Sequence, residues 1–310
     1  MSRRLLAFAA IALLAACSWN PKSSTEPEPH IMNWSEVAAL PQPPALPRLA
    51  YGDDPLQFGE LSLPRGTGPF PVVMLIHGGC WLSDFDYRHV RPLAAAITQQ
   101  GFAVWNVEYR RLGNDGGGWP DTFLDAARAL DHLRALASDH PLDLHRIVVV
   151  GHSAGGQLAL WLATRDALPA ASPLHVEHAL AIAGVVGLAP ITDLYRYRIG
   201  APGSCNAAVD PLLGGTPEQV PERYAQVSPL QRLPLRVPIW LIHGDDDRIV
   251  VGADLQRFAD AALAAGDRVG LLRVADAGHF ENVVPGSSAW PALLTALQSF
   301  RKGEAPAQPH

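Results

Sequence analysis

A chain of 310 residues with 48% hydrophobic content carries enough apolar material for one sizeable core, which excludes a wholly disordered protein. Its formal charge of −6, from 24 basic and 30 acidic residues with no dense Lys/Arg cluster, gives no electrostatic footprint for nucleic acid. Three cysteines are too few for a disulfide scaffold, and neither a His-Glu-x-x-His helix nor a paired Cys-x-x-Cys is present to hold a catalytic metal, so no cofactor is expected.

The chain begins with Arg3 and Arg4 and then the apolar run Leu5–Leu14, the charge-then-apolar pattern of an export signal and too short to span a bilayer. The run ends in "LLAAC", Leu13–Cys17, which resembles the lipobox of bacterial lipoprotein signal peptides. That resemblance implies a signal peptide over residues 1–16, acylation of Cys17 and attachment to a membrane through lipid rather than charge. Ser18 in place of Asp at the next position implies the outer membrane, facing the periplasm. An ordinary cleaved secretory signal is the alternative. Several acyl chains make such attachment durable where a single chain holds weakly. Residues 17–55, with Pro21, Pro27, Pro29, Pro41, Pro43, Pro44 and Pro47, predict an extended tether with no fold of its own.

From Leu56 onward, short β-branched runs alternate with helix-length segments, the order that signals parallel βαβ units. Strands are predicted at 58–63, 72–76, 103–107, 147–150, 181–187, 238–242 and 270–274. Several are apolar on both faces, as a covered parallel sheet requires. Phe123, Ala127, Leu130, Leu133 and Leu136 recur at three- and four-residue spacings and predict one helix over 120–137. Further helices are predicted at 252–265 and 289–300. Residues 192–230, rich in Gly, Pro and Arg, read as a lid-like insertion with a short helix after Thr216 and no strand. A tail follows from 303 to 310.

The stretch "IVVVGHSAGGQLAL" changes character at Gly151, where glycines bracket Ser153 between a strand and a helix former. "GHSAG" fits the G-x-S-x-G nucleophile elbow, in which a sharp turn exposes the hydroxyl at the C-terminal edge of a parallel sheet. A serine hydroxyl needs a base to remove its proton as it attacks, so a histidine and a carboxylate are required downstream. "HGDDDRIV" offers Asp245, Asp246 and Asp247 after one strand, and "DAGHF" offers His279 after the next.

Taken in order, "GHSAGG", "HGDDDRIV" and "DAGHF" make residues 56–302 resemble the α/β-hydrolase fold, a mostly parallel central sheet flanked by helices. The resemblance implies a Ser153–His279–Asp247 triad, because the family's acid lies three residues after the glycine of H-G-x-x-D-x-x-V; Asp245 and Asp246 are then turn or capping residues. It also implies an oxyanion hole of backbone N–H groups, each worth about 3 to 4 kcal/mol. One donor is Ala154, after the nucleophile; the others are Gly79 and Cys80 of "HGGCW", His77–Trp81, which is similar to the H-G-G-x-W of kynurenine formamidases and related esterases. Trp81 and Asp193 stand where they can face a substrate. His77, His243 and the "VEYRR" run, Val107–Arg111, read as structural. In an exported protein, Cys80 and Cys205 meet an oxidising compartment, and they form either a bridge or two buried thiols, since sequence gives no distance.

The expected activity is that of a serine esterase acting on a small-molecule ester with a small acyl group. An arylformamide or a peptide is the alternative substrate of the same machinery, and a binding lipoprotein on a hydrolase fold is the alternative of another class.

Overall fold

In the computed structural model, residues 30–200 and 205–306 are described. Residues from Ile31 onward form one compact unit. The signal peptide, Cys17 and the first part of the predicted tether lie outside the described residues.

Eight strands form one sheet: β1 (Arg48–Ala50), β2 (Phe58–Ser62), β3 (Phe70–Ile76), β4 (Ala103–Val107), β5 (Leu142–His152), β6 (Gly184–Leu188), β7 (Ile239–Gly244) and β8 (Val269–Val274). Their order is β1-β2-β4-β3-β5-β6-β7-β8. The two strands at one edge pair antiparallel and the remaining six run parallel. The helices are α1 (Trp34–Ala38), α2 (Arg91–Gln99), α3 (Asp121–Asp131), α4 (Leu133–Asp139), α5 (Ala154–Leu162), α6 (Leu194–Tyr197), α7 (Val209–Leu213), α8 (Pro221–Val227), α9 (Gly252–Ala264) and α10 (Trp290–Lys302).

Strand side chains alternate between faces, and the apolar runs therefore feed two cores. Val72, Met74, Ile76, Ile147 and Val149 join the core under α3, α5 and α9. Val73, Leu75, Val148 and Val150 join the core under α2 and α10. Truncating one of these buried side chains to alanine costs about 2 to 5 kcal/mol, which is why the runs tolerate no polar residue.

The tether expectation fails from residue 31 onward. Asn33 caps α1 through the backbone N–H groups of Ser35 and Glu36, while the Glu36 side chain caps Asn33 in return. Val37 is fully buried, β1 pairs with β2, and the Tyr51 hydroxyl donates to the Glu108 carbonyl at 2.7 Å. Two apolar anchors thus pin a proline-rich segment that composition alone reads as loose. The helix predicted over 120–137 is also two helices, broken at His132. Residues 192–230 contain α6, α7 and α8 and bury Val209, Leu212, Leu213 and Tyr224, so they pack as part of the main core. No helix among the described residues is long and apolar enough to cross a membrane.

Candidate active site

The six parallel strands deliver their C-terminal ends to one edge of the sheet, where loops carry the chemistry-bearing residues. At the end of β5 the chain turns through Ser153, whose φ of 53° and ψ of −117° lie in a region costing about 1 to 3 kcal/mol for a non-glycine residue. The neighbours that allow this are small: a Cβ on Gly155 would sit 2.3 Å from the Ile76 and His77 carbonyl oxygens. The Ser153 N–H donates to the Leu188 carbonyl at 2.9 Å, tying the elbow to β6. Its hydroxyl is buried and has no hydrogen-bond partner among the described residues.

Asp247 follows β7 and His279 follows β8. His279 Nδ1 donates to Asp247 Oδ2 at 2.7 Å, which leaves Nε2 as the ring's free nitrogen. The other carboxylate oxygen, Oδ1, accepts from the N–H groups of Ile249 at 2.8 Å and Val250 at 2.9 Å. Burial by itself raises the Asp247 pKa, but the charge of and hydrogen bond from His279, with the two backbone donors, hold it below the ordinary carboxylate value. The neighbouring acids are placed otherwise: Asp245 pairs with Arg273 at the surface, and Asp246 lies in the turn, its N–H donating to the Ala277 carbonyl.

The loop after β3 carries three successive residues with positive φ: Gly79 at 110°, Cys80 at 58° and Trp81 at 54°. No hydrogen bond among the described residues uses the N–H of Gly79, Cys80 or Ala154, and Gly79, Cys80, Ser153 and His279 line one cavity of about 860 Å³. Beneath this loop His77 Nδ1 faces the Gly78 carbonyl at 2.7 Å and Nε2 faces Glu108 Oε1 at 3.0 Å, with the Arg111 guanidinium against the same carboxylate. The Tyr109 hydroxyl donates to the His77 carbonyl at 3.0 Å. The "VEYRR" residues therefore support the loop from below. Cys80 and Cys205 are joined in a disulfide, Cα atoms 4.9 Å apart, which fastens the 192–230 segment to the loop.

Two expected pocket residues stand elsewhere. Trp81 is fully buried in the main core, because its positive φ turns the side chain inward. Asp193 caps α6, accepting from Tyr195 N at 3.0 Å and Arg196 N at 3.3 Å, and lies 3.9 Å from Arg257. Neither lines the cavity.

Other residues of the site escape the sequence reading. His152 stacks tilted on His279 with ring centroids 4.6 Å apart, and its Nε2 donates to the His279 carbonyl at 3.1 Å. Burial, then the charge of His279, pushes the His152 pKa well below the ordinary value, so the ring stays neutral. Asn282 Nδ2 donates to the same carbonyl at 3.2 Å, and Glu281 Oε2 accepts from Gly278 N at 2.8 Å. The cavity has an aromatic side of Trp34, Phe85, His89 and Phe280, and an aliphatic side that includes Leu82, Leu112, Pro211 and Ile249. Trp34 had a local signal in the Asn33-x-x-Glu36 capping box around it, and His152 and Phe280 stand inside the quoted "GHSAG" and "DAGHF" motifs.

A parallel sheet with a strained serine elbow after β5, an Asp after β7 and a His bonded to it after β8 defines an α/β-hydrolase. A family model described as BD-FAE matches residues 60–261, and the chain belongs to the BD-FAE family. That range contains Ser153 and Asp247, whereas Trp34 and His279 lie outside it. Esterase LipC of Mycobacterium tuberculosis is 27% identical over 259 residues, 79% of this chain and 62% of LipC, so the chain spans less than two thirds of that relative. Among solved structures, the esterase Est2 of Thermogutta terrifontis is similar in fold, with a TM-score of 0.68 at 22% identity, covering 89% of this chain and 100% of that one. A truncated carbohydrate esterase from gut microbiota gives a TM-score of 0.69 at 21% identity, covering 83% and 94%.

Proposed function

We propose that the protein is a serine hydrolase that cleaves a carboxylic ester by acyl transfer. The observation that carries this reading is the 2.7 Å bond from His279 Nδ1 to Asp247, in a cavity shared with an unpaired serine hydroxyl. That bond selects the tautomer whose Nε2 can take the Ser153 proton as the hydroxyl attacks the ester carbonyl. The carbonyl oxygen becomes an oxyanion, received by the free N–H groups of Gly79, Cys80 and Ala154. His279 then returns the proton to the leaving alcohol, and water, activated by the same imidazole, releases the acyl group from Ser153.

The acyl group is small. Est2 of Thermogutta terrifontis has been solved with propionate and with butyrate bound, which supports this size class. Greater activity on C12 than on C2 esters would overturn it.

The deciding experiment is hydrolysis of p-nitrophenyl acetate by the protein and by Ser153→Ala. A loss on the order of 10⁶ in kcat is expected; an equal rate in both removes Ser153 as nucleophile. N-formylkynurenine, run alongside, separates ester from formamide cleavage. Lipidation at Cys17 and display on the outer membrane, facing the periplasm, complete the proposal. The Cys80–Cys205 disulfide supports export, since such bonds persist in oxidising compartments. Labelled palmitate should enter the protein and not Cys17→Ala; labelling of both would sink the assignment.

A further inference from the structure

The segment Ile31–Ala38 precedes the residues that match the family, yet it reaches the candidate active site at three points. Met32 N–H donates to Glu281 Oε1 at 2.5 Å, while the second oxygen of that carboxylate holds the N–H of Gly278, next to His279. Ile31 packs directly on Gly278: a Cβ there would lie 2.5 Å from Ile31 Cγ2. Trp34, at the first turn of α1, meets Phe85 edge-on at 4.8 Å, His89 at 5.1 Å and Phe280 at 6.1 Å between ring centroids. Phe85 follows the oxyanion loop and Phe280 follows His279, so one indole spans the two loops that flank Ser153.

We propose that Trp34 is a specificity-determining residue, and residues 31–38 an arm of the active site, that seat the bulky apolar part of the ester. This rests on the esterase reading. A cavity of about 860 Å³ is far larger than an acetyl ester requires and lies in the range that encloses drug-sized ligands. Three aromatic rings and one buried histidine form this end of it, and His89 stays neutral because burial and then the charge of His77 hold its pKa down to about 3. Its Nδ1 is committed to the Asp86 carbonyl at 2.6 Å. An uncharged aromatic wall favours flat or aliphatic groups. Because the acyl group is small, the bulky group belongs to the alcohol side, and the two sides are separable by experiment.

The full chain, Trp34→Ala and Trp34→Phe are compared on ethyl acetate, 2-naphthyl acetate and ethyl octanoate. For Trp34→Ala, KM is expected to rise about tenfold, the equivalent of about 1.4 kcal/mol, on 2-naphthyl acetate with kcat little changed. Ethyl acetate keeps its kcat/KM within about twofold, and Trp34→Phe recovers most of the loss. A loss on ethyl octanoate alone overturns the placement on the alcohol side. An equal loss on all three esters, or no loss on any, overturns the proposal. Calorimetric titration of 2-naphthol provides a readout independent of turnover: it should bind the full chain more tightly than Trp34→Ala, and equal binding counts against the proposal. Failure of the esterase reading is recognised separately, by activity that survives Ser153→Ala.

Discussion

The proposed catalytic edge of the sheet and the walls of the cavity are built by different means. Ser153 stands directly at the end of β5, and Asp247 and His279 stand on the loops that follow β7 and β8, strands whose register is fixed by two buried cores. Part of the walls comes from segments outside the sheet, Trp34 of the 31–38 arm and Cys205, Ala207, Ala208 and Pro211 of the 192–230 segment, beside residues of the strand-end loops such as Phe85, His89 and Phe280. Each segment is held to a catalytic loop by a specific tie: the Glu281 carboxylate for the arm, the Cys80–Cys205 disulfide for the other. The sheet sets where the reacting atoms stand, and the ties set what surrounds them. Changes to the sheet-borne groups should therefore cost rate, whereas changes to the walls should cost stability or selectivity.

The sharpest way to break this contrast beyond Ser153 is Asp247→Asn. The amide retains shape but favours the wrong imidazole tautomer, and kcat should fall by roughly 10⁴ with KM and melting temperature little changed. A fall in melting temperature of many degrees would mean that Asp247 holds the fold rather than the histidine. Next is Cys205→Ala, which opens a loop with a sequence separation of 125 residues. Stability should drop by about 2 to 5 kcal/mol, read as a lower denaturant midpoint, with p-nitrophenyl acetate turnover reduced by less than the Asp247 variant's. An unchanged midpoint would show that the segment is held by its apolar contacts alone.

The smallest effect concerns acid. A histidine in the unfolded chain titrates near 6.5, while native His89 stays neutral down to about 3. Below pH 6.5 the unfolded state therefore gains a proton that the native state refuses, and stability falls as pH falls through this window. Replacing His89 by Phe should shrink the loss between pH 7 and pH 5 by about 2 kcal/mol. Equal losses in the two proteins would place the acid sensitivity elsewhere, with His152 the next group to test.

The same division decides what could be read from the sequence. The β-branched runs that feed two cores announce themselves, and Ala103–Val107 is found at its expected limits. The proposed triad is readable because strand, turn and helix chemistry surround Ser153, and because Asp247 and His279 each follow a strand. What sequence could not give is proximity between segments. The pairing of Cys80 with Cys205, Glu281 reaching Met32, and Trp34 meeting Phe280 across the site are all long-range contacts without a local pattern. Trp81 misleads for the opposite reason: "HGGCW" suggests an exposed wall, but the left-handed backbone at 79–81 sends the indole into the core. The proline-rich stretch conceals β1 because a strand of three residues at a sheet edge needs only Tyr51 as an anchor.

With Cys17 lipidated as proposed, the leash that holds the enzyme to its membrane is also a piece of its pocket. Trp34 stands seventeen residues after Cys17, a reach of at most about 60 Å even when fully extended. A protease that cuts ahead of Ile31 would set free an intact catalyst, while one that cuts after Leu40 would set free an enzyme without the Trp34 part of its aromatic wall. Shedding and loss of selectivity are thus separated by about ten residues, and measuring kcat/KM of each released fragment would tell the two cuts apart.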